Sequence, residues 1–208
     1  MAVIVGLSPE QITNLAGQLH MVSVSQGYQV QIPPGRAREY WHILWPWWKL
    51  NVGIPEKLVR ILGKRRLTLA VAESATGGLA CSMLTDVPGA SQVLAGGVIT
   101  YTNKTKEKLL QLEDIPASGV SPVLTLTMAR QVRIRLNSDL GLAITGVLGP
   151  LVPGVGLSVG QVYLAVAAPW FEEVYPYFFS GDRRKVKSLA ASASLNLVLA
   201  ALGRWQHE

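Results

Sequence analysis

Two apolar runs, each ending in a cluster of small polar and charged residues, constrain this chain more than any other feature. The first, Leu67-Thr68-Leu69-Ala70-Val71-Ala72, stops at Glu73-Ser74-Ala75-Thr76-Gly77-Gly78. The second, Val93 to Thr100, stops at Tyr101-Thr102-Asn103-Lys104-Thr105-Lys106. Short apolar runs separated by a helical pattern predict buried strands of an α/β sheet. In open sheets of that kind ligands bind at the carboxyl ends of the strands. Ser74 and Lys106 are therefore predicted to meet in one pocket.

The flanking sequence extends the alternation. Pro55 to Lys64 reads as a helix with Leu58, Ile61 and Leu62 inward. Thr76 to about Leu84 reads as another, with Gly77 and Gly78 in its first turn at a cost in intrinsic stability. Asn103 to Leu112 is a short helix, and Ser121-Pro122 starts a longer one to about Leu136. Leu140 to Ile144 is a third buried strand, followed by a glycine-rich loop from Thr145 to Gly160. Gln161–Ala168 and Val174–Ser180 read as a strand pair joined by Pro169 to Glu173, and a last helix runs from near Asp182 to about Leu202. This order predicts a three-layer α/β/α sandwich with a mixed, mostly parallel sheet over residues 53–208.

Composition agrees with a packed domain: of 208 residues, 49% are hydrophobic and 15% charged, enough to build a core. Leu140 to Phe171 carries no charge and is long enough to suggest a membrane span, but six glycines and three prolines interrupt it. Two buried strands joined by a loop are the better reading, and no transmembrane segment is expected. Cys81 is the single cysteine, so no intramolecular disulfide can form, which suits a reducing compartment such as the cytoplasm. No basic residue precedes Arg36, so the charged start of a secretory signal is missing. The net charge of +6 is scattered, which favours solvated faces and small anions over nucleic acid.

Residues 1–52 form a separate N-terminal extension in this reading. Ser8-Pro9-Glu10-Gln11 starts a helix that would reach about His20, and Val22 to Ile32 suggests one strand. Four of the six tryptophans fall between Trp41 and Trp48. Such a cluster needs cover: the main domain, a second subunit in a homo-oligomer, a membrane interface or partner, or stacked bases.

The chemistry narrows by elimination. One cysteine and three scattered histidines (His20, His42, His207) make no zinc-ligand cluster, so no metal is expected, and a serine–histidine triad would need one of those remote histidines. A lysine whose ammonium is desolvated can serve a serine as base instead. Ser74 is either an N-cap or a nucleophile; Lys106 is either a solvated lysine or that base. Tyr101 could relay or orient a proton, and Asn103 shares a helical face with Lys106. The backbone after Ser74 and the loop at Thr145, Gly146 and Gly149 are candidate anion sites.

These residues resemble a known family. Ala72-Glu73-Ser74-Ala75-Thr76-Gly77-Gly78, Leu84-Thr85-Asp86-Val87-Pro88-Gly89-Ala90-Ser91, Gly96 to Asn103 with Lys106, Ala143-Ile144-Thr145-Gly146 with Gly149-Pro150, and Gly181-Asp182-Arg183 are together similar to the CinA C-terminal-domain family. The resemblance covers roughly residues 54–203. It implies an α/β/α fold and hydrolysis of nicotinamide mononucleotide to nicotinic acid mononucleotide and ammonia, without a cofactor. It implies Ser74 as nucleophile, Lys106 as general base and Tyr101 as an assisting hydroxyl. Glu73, Thr76, Gly77, Gly78, Asn103, Thr145, Gly146 and Gly149 are then the candidate substrate contacts. Ala75 replaces the family's usual cysteine, and Leu151 to Gly156 replaces a more polar, glycine-rich run. A non-catalytic binding module tied to competence or DNA damage is the alternative that the resemblance implies.

Overall fold

The structure, a computed structural model, describes residues 53–150 and 156–204, and the backbone of three short strands nearer the N-terminus. Those strands are β1 (Ala2–Ile4), β2 (His20–Val24) and β3 (Gly27–Gln31), antiparallel in the order β1-β3-β2. The single strand expected from Val22 to Ile32 is thus two, with Val24 opposite Gly27. His20 opens β2 rather than ending a helix. The rest of the helix expected from Ser8, and the tryptophan cluster, lie outside the described residues.

The main sheet has five strands: β4 (Leu69–Glu73), β5 (Leu94–Ile99), β6 (Leu140–Gly146), β7 (Gln161–Ala168) and β8 (Phe171–Phe178). Their order is β5-β4-β6-β7-β8. β4 runs parallel to β5 and β6, whereas β7 and β8 are antiparallel additions. Among the described residues five α-helices flank the sheet: α1 (Ile54–Arg65), α2 (Leu79–Thr85), α3 (Asn103–Leu110), α4 (Pro122–Arg135) and α5 (Arg183–Arg204). This is the α/β/α sandwich that the alternation predicts.

Strand alternation divides the core in two. Leu69 and Val71 of β4 face one side, with Leu58 and Leu62 of α1, Leu84 of α2, and Leu195 and Val198 of α5. Ala70 and Ala72 face the other, with Leu110 of α3 and Met128 and Val132 of α4. The second face is lined by small residues, so α4 approaches closely. At Gly141 a Cβ would overlap the carbonyl oxygen of Ala129 and lie 2.9 Å from Arg133 Cβ. Gly141→Ala is therefore expected to lower stability by about 3 kcal/mol or more, through overpacking against helix backbone that cannot yield locally. Gly63→Ala in α1 is the contrast: the nearest atom to its Cβ is 3.8 Å away, and a helical glycine replaced by alanine should gain roughly 0.5–1 kcal/mol. Thermal unfolding of both variants reads the difference; equal melting temperatures would refute the close approach.

Two boundaries differ from expectation. β6 continues through Thr145 and Gly146, which pair with Tyr163 and Val162 instead of opening the loop. The β7–β8 connection is only Pro169–Trp170, because Phe171 already pairs with Ala168. Glu172 and Glu173 look loop-like by charge, but β8 is an edge strand, where charge and Pro176 are tolerated. Glu172 pairs with Arg130 of α4. α5 is long and apolar enough to cross a membrane. Within this domain its middle, Ala193 to Val198, is buried against the sheet, flanked by α1 and α2.

Candidate active site

The same alternation that divides the core separates two neighbours at the end of β4. Glu73 follows Leu69 and Val71 to the α2 side. Ser74 follows Ala70 and Ala72 to the α3 side. Glu73 is fully buried, and its carboxylate accepts the amides of Gly78 (2.9 Å), Ala80 (3.2 Å) and Cys81 (2.8 Å). It caps α2 from five residues upstream, where Gly78, the residue at the N-cap, has no side chain to do so. Glu73 is thus enclosed by backbone donors, neither standing in water nor facing the pocket as its place in sequence suggests. Burial, together with the Glu73 carboxylate, pushes the Cys81 thiol well above the ordinary cysteine range, so it stays protonated and inert.

Gly77 and Gly78 lie before the helix, not in its first turn. Both have left-handed backbone, φ +58° and +95°, which a side chain would strain. A Cβ on Gly78 would also press on Ile99 Cδ1 at 3.2 Å. The two glycines delay α2 to Leu79 and leave a short loop after Ser74. Within it, the amides of Ala75, Thr76 and Gly77 have no acceptor among the described residues. Thr76 is fully buried and its hydroxyl has no partner there either.

Lys106 reaches Ser74 from α3. Thr102 adopts extended backbone and accepts the Thr105 amide in a reciprocal capping box, so the helix starts at Asn103. That start puts Lys106 one turn in, on the face toward the sheet. Its Nζ lies 3.3 Å from Ser74 Oγ, and the side chain is 2% exposed. Burial lowers its pKa from the ordinary lysine value, favouring the neutral amine. Ser74 is itself held by its amide donating to the Ile144 carbonyl at 3.0 Å.

The remaining candidates fall into distinct places. Thr145 occupies the position on β6 beside Ser74 and is fully buried, 2.7 Å from Thr125 Oγ1. Thr125 donates its hydroxyl proton to the Ser121 carbonyl at 2.6 Å, so Thr145 donates to Thr125 and keeps its lone pairs. Gly146 gives clearance to β7, where a Cβ would meet Gln161 O and Val162 Cγ2 at 2.8 Å. Asn103 donates to the carbonyls of Pro116 and Ala117. Tyr101 is 59% exposed, and its hydroxyl is engaged by Arg183 Nη2 at 2.9 Å, not by Lys106. Arg183 also donates to the carbonyl of Gly149, tying the loop after β6 to the end of β5. Sequence reasoning did not place Arg183 in the site, although Gly181-Asp182-Arg183 at the start of α5 was the visible signal. It also passed over Lys187, whose Nζ is 3.6 Å from where a side chain on Gly77 would begin.

Fold and site together define an α/β/α domain with a buried serine–lysine pair at the carboxyl ends of parallel strands. The chain belongs to the CinA C-terminal domain family, whose sequence profile matches residues 52–202. A CinA-like protein of Syntrophotalea carbinolica is 42% identical over 149 residues, 70% of this chain and 36% of that relative. A protein of Caldanaerobacter subterraneus subsp. tengcongensis named as competence-damage inducible is 41% identical over 146 residues, 69% of this chain and 35% of its own length. The chain therefore matches about a third of the length of these relatives. Among solved structures, competence damage-inducible protein A of Klebsiella pneumoniae superposes with a TM-score of 0.70 at 25% identity, covering 74% of this chain and 97% of that one.

Proposed function

We propose that this domain is an amidohydrolase that deamidates nicotinamide mononucleotide through an acyl-enzyme on Ser74. The observation that carries the reading is the 3.3 Å contact between Ser74 Oγ and a Lys106 amine enclosed by protein. A serine needs a base to become a nucleophile, and a buried lysine with a lowered pKa is one.

In the first half-reaction Ser74 Oγ attacks the carboxamide carbon while its proton passes to the neutral Lys106. The oxyanion of the tetrahedral intermediate is received by the free amides that follow Ser74, of Ala75, Thr76 and Gly77. Lys106, now an ammonium, returns the proton to the departing nitrogen as the C–N bond breaks, releasing ammonia and leaving an ester. Water, deprotonated by the same lysine, attacks the ester; Ser74 regains its proton and the carboxylate product leaves. Because Tyr101 is held by Arg183, proton transfer is assigned to Lys106 alone, and Tyr101 with Arg183 forms part of the rim. The nucleotide phosphate is assigned to Arg183, at the rim, and Lys187, near Gly77, as the cations closest to the loop after Ser74.

Attack requires neutral Lys106, so kcat/KM should rise with pH and level off below the ordinary lysine value of 10.5. Ammonia release from nicotinamide mononucleotide, followed across pH, tests both statements. No release by folded protein would overturn the substrate assignment, and a rate that falls through the alkaline range would overturn the role of Lys106.

A further inference from the structure

The segment after α3 folds back over Lys106. Pro116 to Gly119 is a β-turn, closed by the Gly119 amide donating to the Pro116 carbonyl at 2.7 Å. Asn103, one helical turn before Lys106, donates Nδ2 to the carbonyls of Pro116 at 3.2 Å and Ala117 at 3.4 Å. Ser118 and Val120 exchange two more hydrogen bonds at the exit of the turn. Gly119 and Val120 are buried. Gly119 has left-handed backbone, φ +64°, and a Cβ there would collide with Asn103 Oδ1 and stand 3.4 Å from Lys106 Nζ. Asn103 could yield only by giving up its bonds to the turn.

We infer that Gly119 and Asn103 are positioning residues for the serine–lysine pair: bare backbone at Gly119 lets the 116–119 turn close the Lys106 side of the pocket to water, and Asn103 latches it. The inference rests on the proposed role of Lys106 as base. The turn itself supplies enclosure and no charge, and Glu113 and Asp114, on the segment leading into it, are exposed. Lys106 Nζ contacts the Ser74 hydroxyl, and the other polar side chains at these strand ends and on α4, Thr100, Thr145 and Thr125, are buried hydroxyls without charge. On its own helix, Lys104, Glu107 and Lys108 are exposed, and Glu73 lies on the other face of the sheet among the α2 amides. Exclusion of water is what remains to favour the neutral amine.

The test is a direct titration of Lys106. In protein carrying 13C-labelled lysine, its Cε resonance is identified by loss of that signal in Lys106→Arg. The midpoint should lie below the ordinary lysine value in the wild type and move up toward it in Gly119→Ala and in Asn103→Ala. The rising limb of kcat/KM should move with it, costing about tenfold in rate at a fixed pH on that limb for each unit of displacement. Asn103→Ala keeps the test decisive if Gly119→Ala fails to fold. A lowered melting temperature with an unmoved Lys106 midpoint, the signature of a merely structural turn, overturns the inference. Displaced midpoints in a protein that releases no ammonia from nicotinamide mononucleotide would uphold the inference and remove the proposed reaction; ammonia release with unmoved midpoints would do the reverse.

Discussion

Ser74→Ala is expected to lower kcat for ammonia release from nicotinamide mononucleotide by roughly 10⁴-fold, with little change in the fold. Ser74 is 8% exposed and the substitution removes one oxygen, so the backbone that presents it should persist. Lys106→Met should abolish activity to a similar extent, since the two groups act as a unit, and the double variant should be little worse than either single one. Stability separates the two. Burial places the folded pKa of Lys106 below its unfolded value, so between those values the unfolded chain binds more protons. Wild-type stability therefore rises with pH through that window, and below it the enclosed ammonium is a burden on the folded state. Lys106→Met should accordingly melt above the wild type at neutral pH, with the advantage shrinking as pH rises through the window. Release of ammonia by Ser74→Ala near the wild-type rate would remove Ser74 as nucleophile. A Lys106→Met protein less stable than the wild type at every pH would refute the desolvation account.

Glu73→Ala should have the largest effect on stability. It leaves three buried or half-buried amides, of Gly78, Ala80 and Cys81, without an acceptor. Each such loss costs about 1–3 kcal/mol, and together they should amount to roughly 3–5 kcal/mol after local relaxation. The loss should also loosen the loop between Ser74 and Leu79, because Glu73 is what draws the start of α2 against the strand end. Activity should therefore fall further than the folded fraction does. Glu73→Gln should lie between the two, since one carbonyl oxygen still accepts while the amide nitrogen faces a donor. Urea unfolding with parallel ammonia assays reads both quantities. Unchanged stability in Glu73→Ala would mean that the carboxylate does not hold the helix start.

The sequence by itself determined what depends on neighbours in the chain. Apolar runs bounded by polar clusters marked β4, β5 and β6 as strands, but only β4 and β6 are buried as expected; β5 is the far edge of the sheet, and its residues alternate between half-buried and exposed. Ser121-Pro122 marked the start of α4, because a cap needs only the next three residues. The same local signals brought out Ser74 and Lys106, since both sit at strand-to-helix junctions. They also misled where the environment decides. Gly77 and Gly78 read as a costly first turn, but their left-handed backbone ends the approach to α2. Glu172 read as loop because charge is not expected in a strand until that strand is known to be an edge.

Only the tertiary structure decided distances and faces. Parallel crossovers bring residues 32 apart in the chain to hydrogen-bond contact, and no local pattern reports that 3.3 Å separation. One residue of strand alternation sends Glu73 to the α2 amides and Ser74 to Lys106, although the two read alike as polar groups ending an apolar run. Arg183 joins Tyr101 across 82 positions, and Gly119 lies over Lys106 because an unbranched backbone fits where Asn103 has already taken the space. A sequence carries residue types and local periods; whether a lysine is a solvated charge or a desolvated amine depends on how much water the folded neighbours remove.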